Sequence, residues 1–427
     1  MSRYTREIHT QDRAGTQRAS LARRHKLLRT SQAILYRGDT AHRQQHRTVW
    51  CHRHVVSEGG MTVHRKLDGS RARLGKVKTC GSVWACPVCG AKITEQRRRE
   101  LSFAVTKHVQ AGGHVYLVTF TFPHYIGQGL DELMEPFTKA RQSFQNGRKW
   151  KAVMEAANKI GVVNSLEVTY GSANGWHPHL HMLVFCDPAA FGEGDPDEAG
   201  RLSSHAIDHL RGEWVRMLEK RGLVSGSNRQ WALSFGLDVR GGRHAAEYIA
   251  KWGHDEAWGL ASELTSAHAK TGKRDTWGTR EHFTPFQLLA MATAGDGHAI
   301  CAFREFVGAF DGKRMLTWSK GLKAHFGIDD MDDETAAAEP ELALEDEQLV
   351  GELHQEQLQV LVKYGRLGDF LSFVAEFGHM DEPQRLIDEW VQAIERAGGK
   401  HGKGNIVVDR LKISDHSYFM VPEEIEG

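Results

Sequence analysis

The sequence predicts an α+β fold, because short apolar runs of period two alternate with longer stretches of helical spacing in the order β-α-β-β-α-β. His114 to Phe122 reads HVYLVTFTF, a β-branched and aromatic run stopped by Pro123, and predicts a buried strand. Asp131 to Ile160 has helical composition. Val162 to Tyr170 alternates, with Val162, Leu166, Val168 and Tyr170 on one face. The turn-rich GSANG of Gly171 to Gly175 follows, and His179 to Phe185 alternates again. Leu202 to Leu218 predicts an amphipathic helix, Leu233 to Val239 a fourth strand, and Gly241-Gly242 a break before a helix starting near Arg243. This order is the ferredoxin-like split pattern, an antiparallel sheet with helices on one face and the other face free to carry a site.

The flanks differ from this middle. Residues 1–48 hold eleven Lys or Arg against three acidic residues and predict a basic, partly disordered arm. Residues 49–105 carry four of the six cysteines and a helix with basic side chains. Beyond the regular domain, expected over 106–325, no Lys or Arg occurs from Ala324 to Val362, so 326–348 reads as an acidic linker. Residues 349–427 read as a helical C-terminal region without a chemical motif. The 427 residues are 40% hydrophobic and 26% charged, a globular composition. No run of about 18 apolar residues occurs, and the polar MSRYTREIHTQDR start lacks the core of a secretory signal. A cytoplasmic protein with no membrane partner is expected.

His179 and His181 stand two apart on a strand, so both side chains leave the same sheet face and can share one divalent ion. If the hairpin turn centres near Ala173, Glu167 lies opposite His179 and supplies a third ligand. His177 is also in phase and is the alternative third ligand. Two imidazoles and a carboxylate with open positions suit Mg²⁺ or Mn²⁺ engaged with phosphate oxygens. A His-rich polar face is the plain structural alternative in a chain with 25 histidines.

Farther on, HAAEYIAKW places Tyr248 and Lys251 three apart on one helix face. Tyr248 is a candidate nucleophile toward a phosphodiester, with Lys251 near the phosphate; the alternative is a core aromatic beside a Glu247–Lys251 pair. Cys80, Cys86 and Cys89, with Cys51 across a loop, predict a closed structural Zn²⁺ site, and His52 or His54 can replace Cys51. Cys186 and Cys301 are expected as buried structural thiols. Lys92, Arg97, Arg98 and Arg99 beside the cysteines are candidate DNA phosphate contacts.

The strand VYLVTFTF, then WHPHLHMLVF, then EYIAKW, in this order and spacing, resemble the three motifs of the HUH endonuclease superfamily, and most closely those of rolling-circle plasmid replication initiators. The likeness covers roughly residues 50–325 and includes the segment TCGSVWACPVCGAKI. It implies that His179 and His181 bind the catalytic metal and that Tyr248, with Lys251, forms a phosphotyrosine on single-stranded or hairpin origin DNA. A host helicase and a DNA polymerase are the implied protein partners. Many relatives carry a second tyrosine where this chain has Trp252, so a single-tyrosine enzyme is expected. A conjugative relaxase or single-tyrosine transposase would use the same chemistry, and a non-catalytic zinc DNA-binding regulator is the rival of another class.

Overall fold

The computed structural model describes residues 3–38, 40–56, 60–188, 190–192, 196–242, 282–338 and 345–398. In chain order these form α1 (Arg3–Leu35), β1 (Met61–Lys66), β2 (Ala72–Gly75), α2 (Pro87–Gln110), β3 (His114–Phe120), α3 (Leu130–Asn146), α4 (Arg148–Ala156), β4 (Gly161–Gly171) and β5 (Gly175–Cys186). There follow α5 (His205–Glu219), α6 (Arg229–Phe235), β6 (Leu237–Arg240), β7 (His282–Phe283), α7 (Pro285–Thr293), α8 (Gly297–Phe310) and β8 (Leu316–Trp318). The last are α9 (Leu322–Phe326), α10 (Asp333–Ala337), β9 (Glu347–Leu353), α11 (Gln355–Lys363), α12 (Leu367–Phe377) and α13 (Pro383–Arg396). The protein is thus α+β with antiparallel sheets. Among the described residues, no helix is long and apolar enough to cross a membrane. The described residues fall into two compact units, one within 1–93, 288–304 and 332–427, the other within 94–287 and 305–331.

The first unit holds the antiparallel sheet β2-β1-β9. Met61 and Val63 of β1, Leu74 of β2 and Val350 and Leu353 of β9 point into a core shared with Phe370, Leu371 and Val391. Burying side chains of this size contributes about 1.5–3 kcal/mol each. Three expectations change here. Residues Arg3–Leu35 are helical rather than a partly disordered arm, and Leu27, Leu28 and Ile34 are buried. The acidic segment does not act only as a linker. Asp332 caps α10 by accepting from the Thr335 amide at 2.7 Å, and Glu347 pairs with Arg73 at 2.7 Å while its strand lies on β1. The C-terminal region therefore begins with a sheet strand before its helices.

The second unit is built on the sheet β6-β3-β5-β4-β7, with β8 also beside β4 and every pair antiparallel. Helices α3 and α4 connect β3 to β4, and α5 and α6 connect β5 to β6. Leu133, Met134, Phe137, Ala140 and Phe144 make the buried stripe of α3. Its Phe137 and Phe144 meet Trp214 of α5, whose ring also stands 5.1 Å from Phe120 of β3. One sheet face is therefore dry, with Val118, Phe120, Leu180, Met182, Leu237 and Val239 buried. The alternate residues Thr119, His177, His179, His181, Asp238 and Arg240 stay partly exposed on the other face.

Two boundaries differ from the sequence reading. The helix expected over 131–160 breaks at Gly147, which is extended between α3 and α4 and returns its amide to Phe144 O. The strand expected from Leu233 starts only at Leu237, because Arg229–Phe235 is helical and Gly236 closes that helix onto Ala232 O. A Cβ at Gly236 would stand 2.5 Å from the Ala232 oxygen, so the turn requires glycine. The alternation of Leu233, Phe235, Leu237 and Val239 imitated one longer strand.

Candidate functional site

The β4–β5 hairpin turns at Ser172–Asn174 and pairs Glu167 with His179 and Ser165 with His181. Directly opposed residues of an antiparallel pair share a face, so the hairpin gathers Glu167, His179 and His181. One Glu167 carboxylate oxygen, Oε2, lies 3.3 Å from His179 Nε2 and 3.5 Å from His181 Nε2. All three ligand atoms fall within 4.8 Å of one another, and the two imidazoles stand nearly perpendicular at 4.9 Å. Both rings therefore offer Nε2 toward one point.

Groups behind the rings orient them. Thr119, opposite His181 on β3, has its Oγ1 2.9 Å from His181 Nδ1. His179 Nδ1 lies 3.2 Å from the His177 carbonyl oxygen. With the protons assigned to Nδ1, each Nε2 keeps its lone pair for an ion, the usual outer-shell arrangement of a histidine metal site. Burial pushes the Glu167 carboxyl up, but the charge of His181 and the hydrogen bonds from His179 and His181 outweigh it and hold the group well below the usual carboxylate range. Two nitrogens, one carboxylate oxygen and an open side fit a hard divalent cation that keeps positions for phosphate oxygen.

His177 does not join this cluster. Its Nε2 bonds Thr121 Oγ1 at 2.8 Å, and its ring stacks on His124 at 4.5 Å. Burial, then the charges of His179 and His124, hold it well below the usual histidine range. Of the two proposed third ligands, the geometry assembles Glu167. Tyr248 and Lys251 lie outside the described residues.

A second cluster gathers Cys51, Cys80, Cys86 and Cys89, all buried and none in a disulfide. Sulfur separations are 3.6 Å for Cys51–Cys89, 3.7 Å for Cys80–Cys89 and 3.7 Å for Cys51–Cys86. A tetrahedron with Zn–S bonds of about 2.3 Å has edges of about 3.8 Å, so the four thiols fit that ion. The Cys89 amide points at Cys86 Sγ, 3.3 Å away, at the start of α2. Burial pushes the Cys51 and Cys86 thiols up, while hydrogen bonds from Cys51, Cys80 and Cys86 hold Cys89 well below its ordinary value. Cys51, not His52 or His54, completes the set. His52 sits against His25, and His54 against Trp50 and His42. Of the two lone cysteines, Cys186 is buried as expected, but Cys301 is exposed on α8.

The basic side chains near the cysteines are mostly spoken for. Arg97 is only 7% exposed, pairs with Glu100 at 2.8 Å and donates to Met331 O at 2.7 Å, so a phosphate has no access to it. Arg98 and Arg99 both bond Glu95, at 2.8 and 2.9 Å. Withdrawal from water pushes Lys92 down to about 8, partly offset by the sulfurs of Cys89 and Cys51. Its favourable charge interaction with those sulfurs would offset part of the negative charge of a tetrathiolate. The sequence reading missed Thr119 and Thr121, although two in-phase threonines interrupting the apolar strand VYLVTFTF were the available signal.

Comparison with known proteins points to replication proteins. The family model described as "Replication protein" matches residues 71–196, a stretch with β3, β4, β5 and three of the four clustered cysteines. "Protein rep" of Streptomyces lividans is 29% identical over 324 residues, covering 64% of this chain and 69% of that protein. "Neomycin resistance protein" of Streptomyces cyanogenus is 29% identical over 186 residues, 37% of this chain and 42% of that one. No solved structure matches. The resemblance to Rep-type replication initiators, carried first by three sequence motifs, is thus supported by a family model and by the relative named "Protein rep".

Proposed function

We propose that this protein initiates rolling-circle replication of a plasmid or phage by nicking one strand of its origin through a phosphotyrosine, and later rejoins that strand. The observation that carries this reading is the convergence of Glu167, His179 and His181 on one point of an otherwise polar sheet face. The sheet order β6-β3-β5-β4, with helices between β3 and β4 and between β5 and β6, supports the split ferredoxin-like arrangement of an HUH domain. The replication-protein match over three of these strands, β3, β4 and β5, supports initiation rather than another use of the chemistry.

A bound Mg²⁺ or Mn²⁺ would polarise the scissile phosphate. Glu167, His179 and His181 would hold the ion, and Thr119 would keep His181 in the ligating tautomer. The Tyr248 hydroxyl oxygen attacks phosphorus and loses its proton. The bond to the 3′ oxygen breaks, and that oxygen takes up a proton. Lys251 offsets phosphate charge. One phosphodiester is exchanged for one phosphotyrosine, so rejoining needs no ATP. The 3′ hydroxyl primes a host polymerase, and a host helicase opens the duplex ahead. The four cysteines hold Zn²⁺ as a structural ion, and the site of action is the cytoplasm.

Incubating the protein with 5′- or 3′-labelled single-stranded origin fragments, in Mn²⁺ or EDTA, tests this on a denaturing protein gel. A metal-dependent covalent band carrying the DNA 3′ of the cut is expected, and Tyr248→Phe loses it while still binding DNA. A persistent band in that variant removes Tyr248 as nucleophile. DNA binding without a band from any fragment favours a non-catalytic zinc-bearing regulator.

A further inference from the structure

The short helix α6 buries only Ala232 and turns Trp231 and Phe235 outward, 42% and 49% exposed, with their rings 5.4 Å apart. Single exposed apolar residues are ordinary, but adjacent aromatics continuous with others are not. Here Asn228, at the start of the same helix, donates from Nδ2 to the Tyr125 hydroxyl at 2.9 Å, and Tyr125 and Ile126 are themselves more than half exposed. The start of the helix that carries the exposed aromatic pair is thus tied to a second exposed aromatic side chain.

Positive charge adjoins it. The Arg201 guanidinium lies 5.7 Å from the centre of the Phe235 ring and donates to Ser234 O at 2.8 Å. Arg201 and Arg240 are paired directly across the sheet edge, where like charges repel. Asp238 stands between them, accepting from Arg201 Nε at 3.0 Å and Arg240 Nε at 2.8 Å. The two guanidinium groups share the Asp238 carboxylate, Asp197 Oδ1 accepts from the Arg201 amide at 2.8 Å, and guanidinium N–H donors remain to spare for an anion.

Register puts this centre beside the metal cluster. Asp238 is opposite Thr119, and Thr119 is opposite His181, so all three side chains share the site's face. Two strand spacings separate Asp238 from His181, about 10 Å. An exposed aromatic pair whose Phe235 ring lies against Arg201, on a sheet edge whose Asp238 is two strands from His181, matches one polymer chemistry. Unpaired bases stack on the rings while the backbone phosphates meet the guanidinium groups. A duplex keeps its base faces stacked inside and offers none.

We propose that Trp231 and Phe235, with Arg201 and Arg240, form the platform that holds the unpaired strand beside the nicking site. This extends the proposed nicking function to named substrate contacts and rests on it for the identity of the strand. It also replaces Arg97, whose burial excludes it, as the place to look for DNA contacts.

The test is fluorescence anisotropy of the full-length protein with a labelled single-stranded origin oligonucleotide and with its matched duplex, across a salt series. Trp231→Ala with Phe235→Ala should weaken single-strand binding at least about tenfold, leave duplex binding unchanged and keep the salt slope. Trp231→Phe, which restores a ring, should recover most of the loss. Arg240→Gln should instead lower the salt slope by about 0.7. Single-strand binding within twofold of the parent in the aromatic double variant overturns the platform, as does an equal loss on duplex. The parent's metal-dependent covalent band is read in the same samples. A band with unaffected variant binding removes the platform and keeps the nicking function. Lost variant binding without a parental band does the reverse.

Discussion

Replacing Thr119 by valine isolates the part of the metal site that only the folded sheet reveals. The substitution keeps the β-branched shape on β3 and removes the oxygen 2.9 Å from His181 Nδ1. The His181 side chain is 15% exposed, so water replaces that partner poorly. Losing one hydrogen bond of this kind costs about 0.5–1.5 kcal/mol, and freeing the imidazole to adopt the non-ligating tautomer adds a few tenths. The sum is about 1–2 kcal/mol, or about 5- to 30-fold in metal affinity, which overlaps the range measured when outer-shell partners of metal-bound histidines are removed. The Mn²⁺ concentration for half-maximal covalent adduct should rise by that factor, with Mn²⁺ binding followed in parallel by calorimetry. Excess Mn²⁺ should restore the adduct, and Thr119→Ser should stay near the parent. A midpoint within twofold of the parent in Thr119→Val would show that the hydroxyl does not orient His181 and would refute the reasoning.

Three further outcomes follow from the same geometry. Glu167→Gln should lose most metal-dependent nicking, whereas His177→Gln, which removes the Thr121 partner and the stack on His124, should keep the Mn²⁺ midpoint within about threefold; a reversed order would make His177 the ligand. Cys51→Ser should release zinc to a chromogenic chelator at lower chelator concentration than the parent, while His54→Gln should not, as read by metal content after dialysis. Burial lowers the His52 ring to about 4 from an ordinary 6.5, so the unfolded chain binds more protons in that window. Stability is therefore full above pH 6.5 and falls as pH drops from 6.5 toward 4. His52→Gln should flatten that slope by up to about 1.4 kcal/mol per pH unit in denaturant melts at several pH values, and an unchanged slope would place the acid sensitivity elsewhere.

The hairpin that builds the candidate site was legible because its information is local. Period-two alternation assigned faces, and a short turn near Ala173 fixed the pairing, so Glu167 opposite His179 followed from counting. The four cysteines were equally legible as a group, since CxxC spacing at the start of a helix already brings two of the gathered sulfurs together. Choosing Cys51 over His52 and His54 needed the folded loop, because neighbouring residues in an irregular segment point in directions that spacing does not encode. At α6 the local signal was misleading. Leu233, Phe235, Leu237 and Val239 alternate through a helix end, a glycine turn and a strand, and nothing in the pattern marks Gly236 as the break.

Charge was the feature read least well, for a physical reason that reaches the function. A run of like charges looks solvated in sequence because its partners are distant along the chain. Glu347 finds Arg73, 274 residues away, and Arg97 finds Glu100 and the Met331 carbonyl, so one acidic linker residue became part of a sheet and one basic contact became buried structure. Conversely, Arg201 and Arg240 drew no notice as isolated residues, yet the sheet edge sets them face to face with one carboxylate between them. Repulsion of that kind is tolerated where an anion relieves it. Which charges a polyanionic partner would meet depends on what the fold leaves unpaired at the surface, and abundance along the chain does not reveal it.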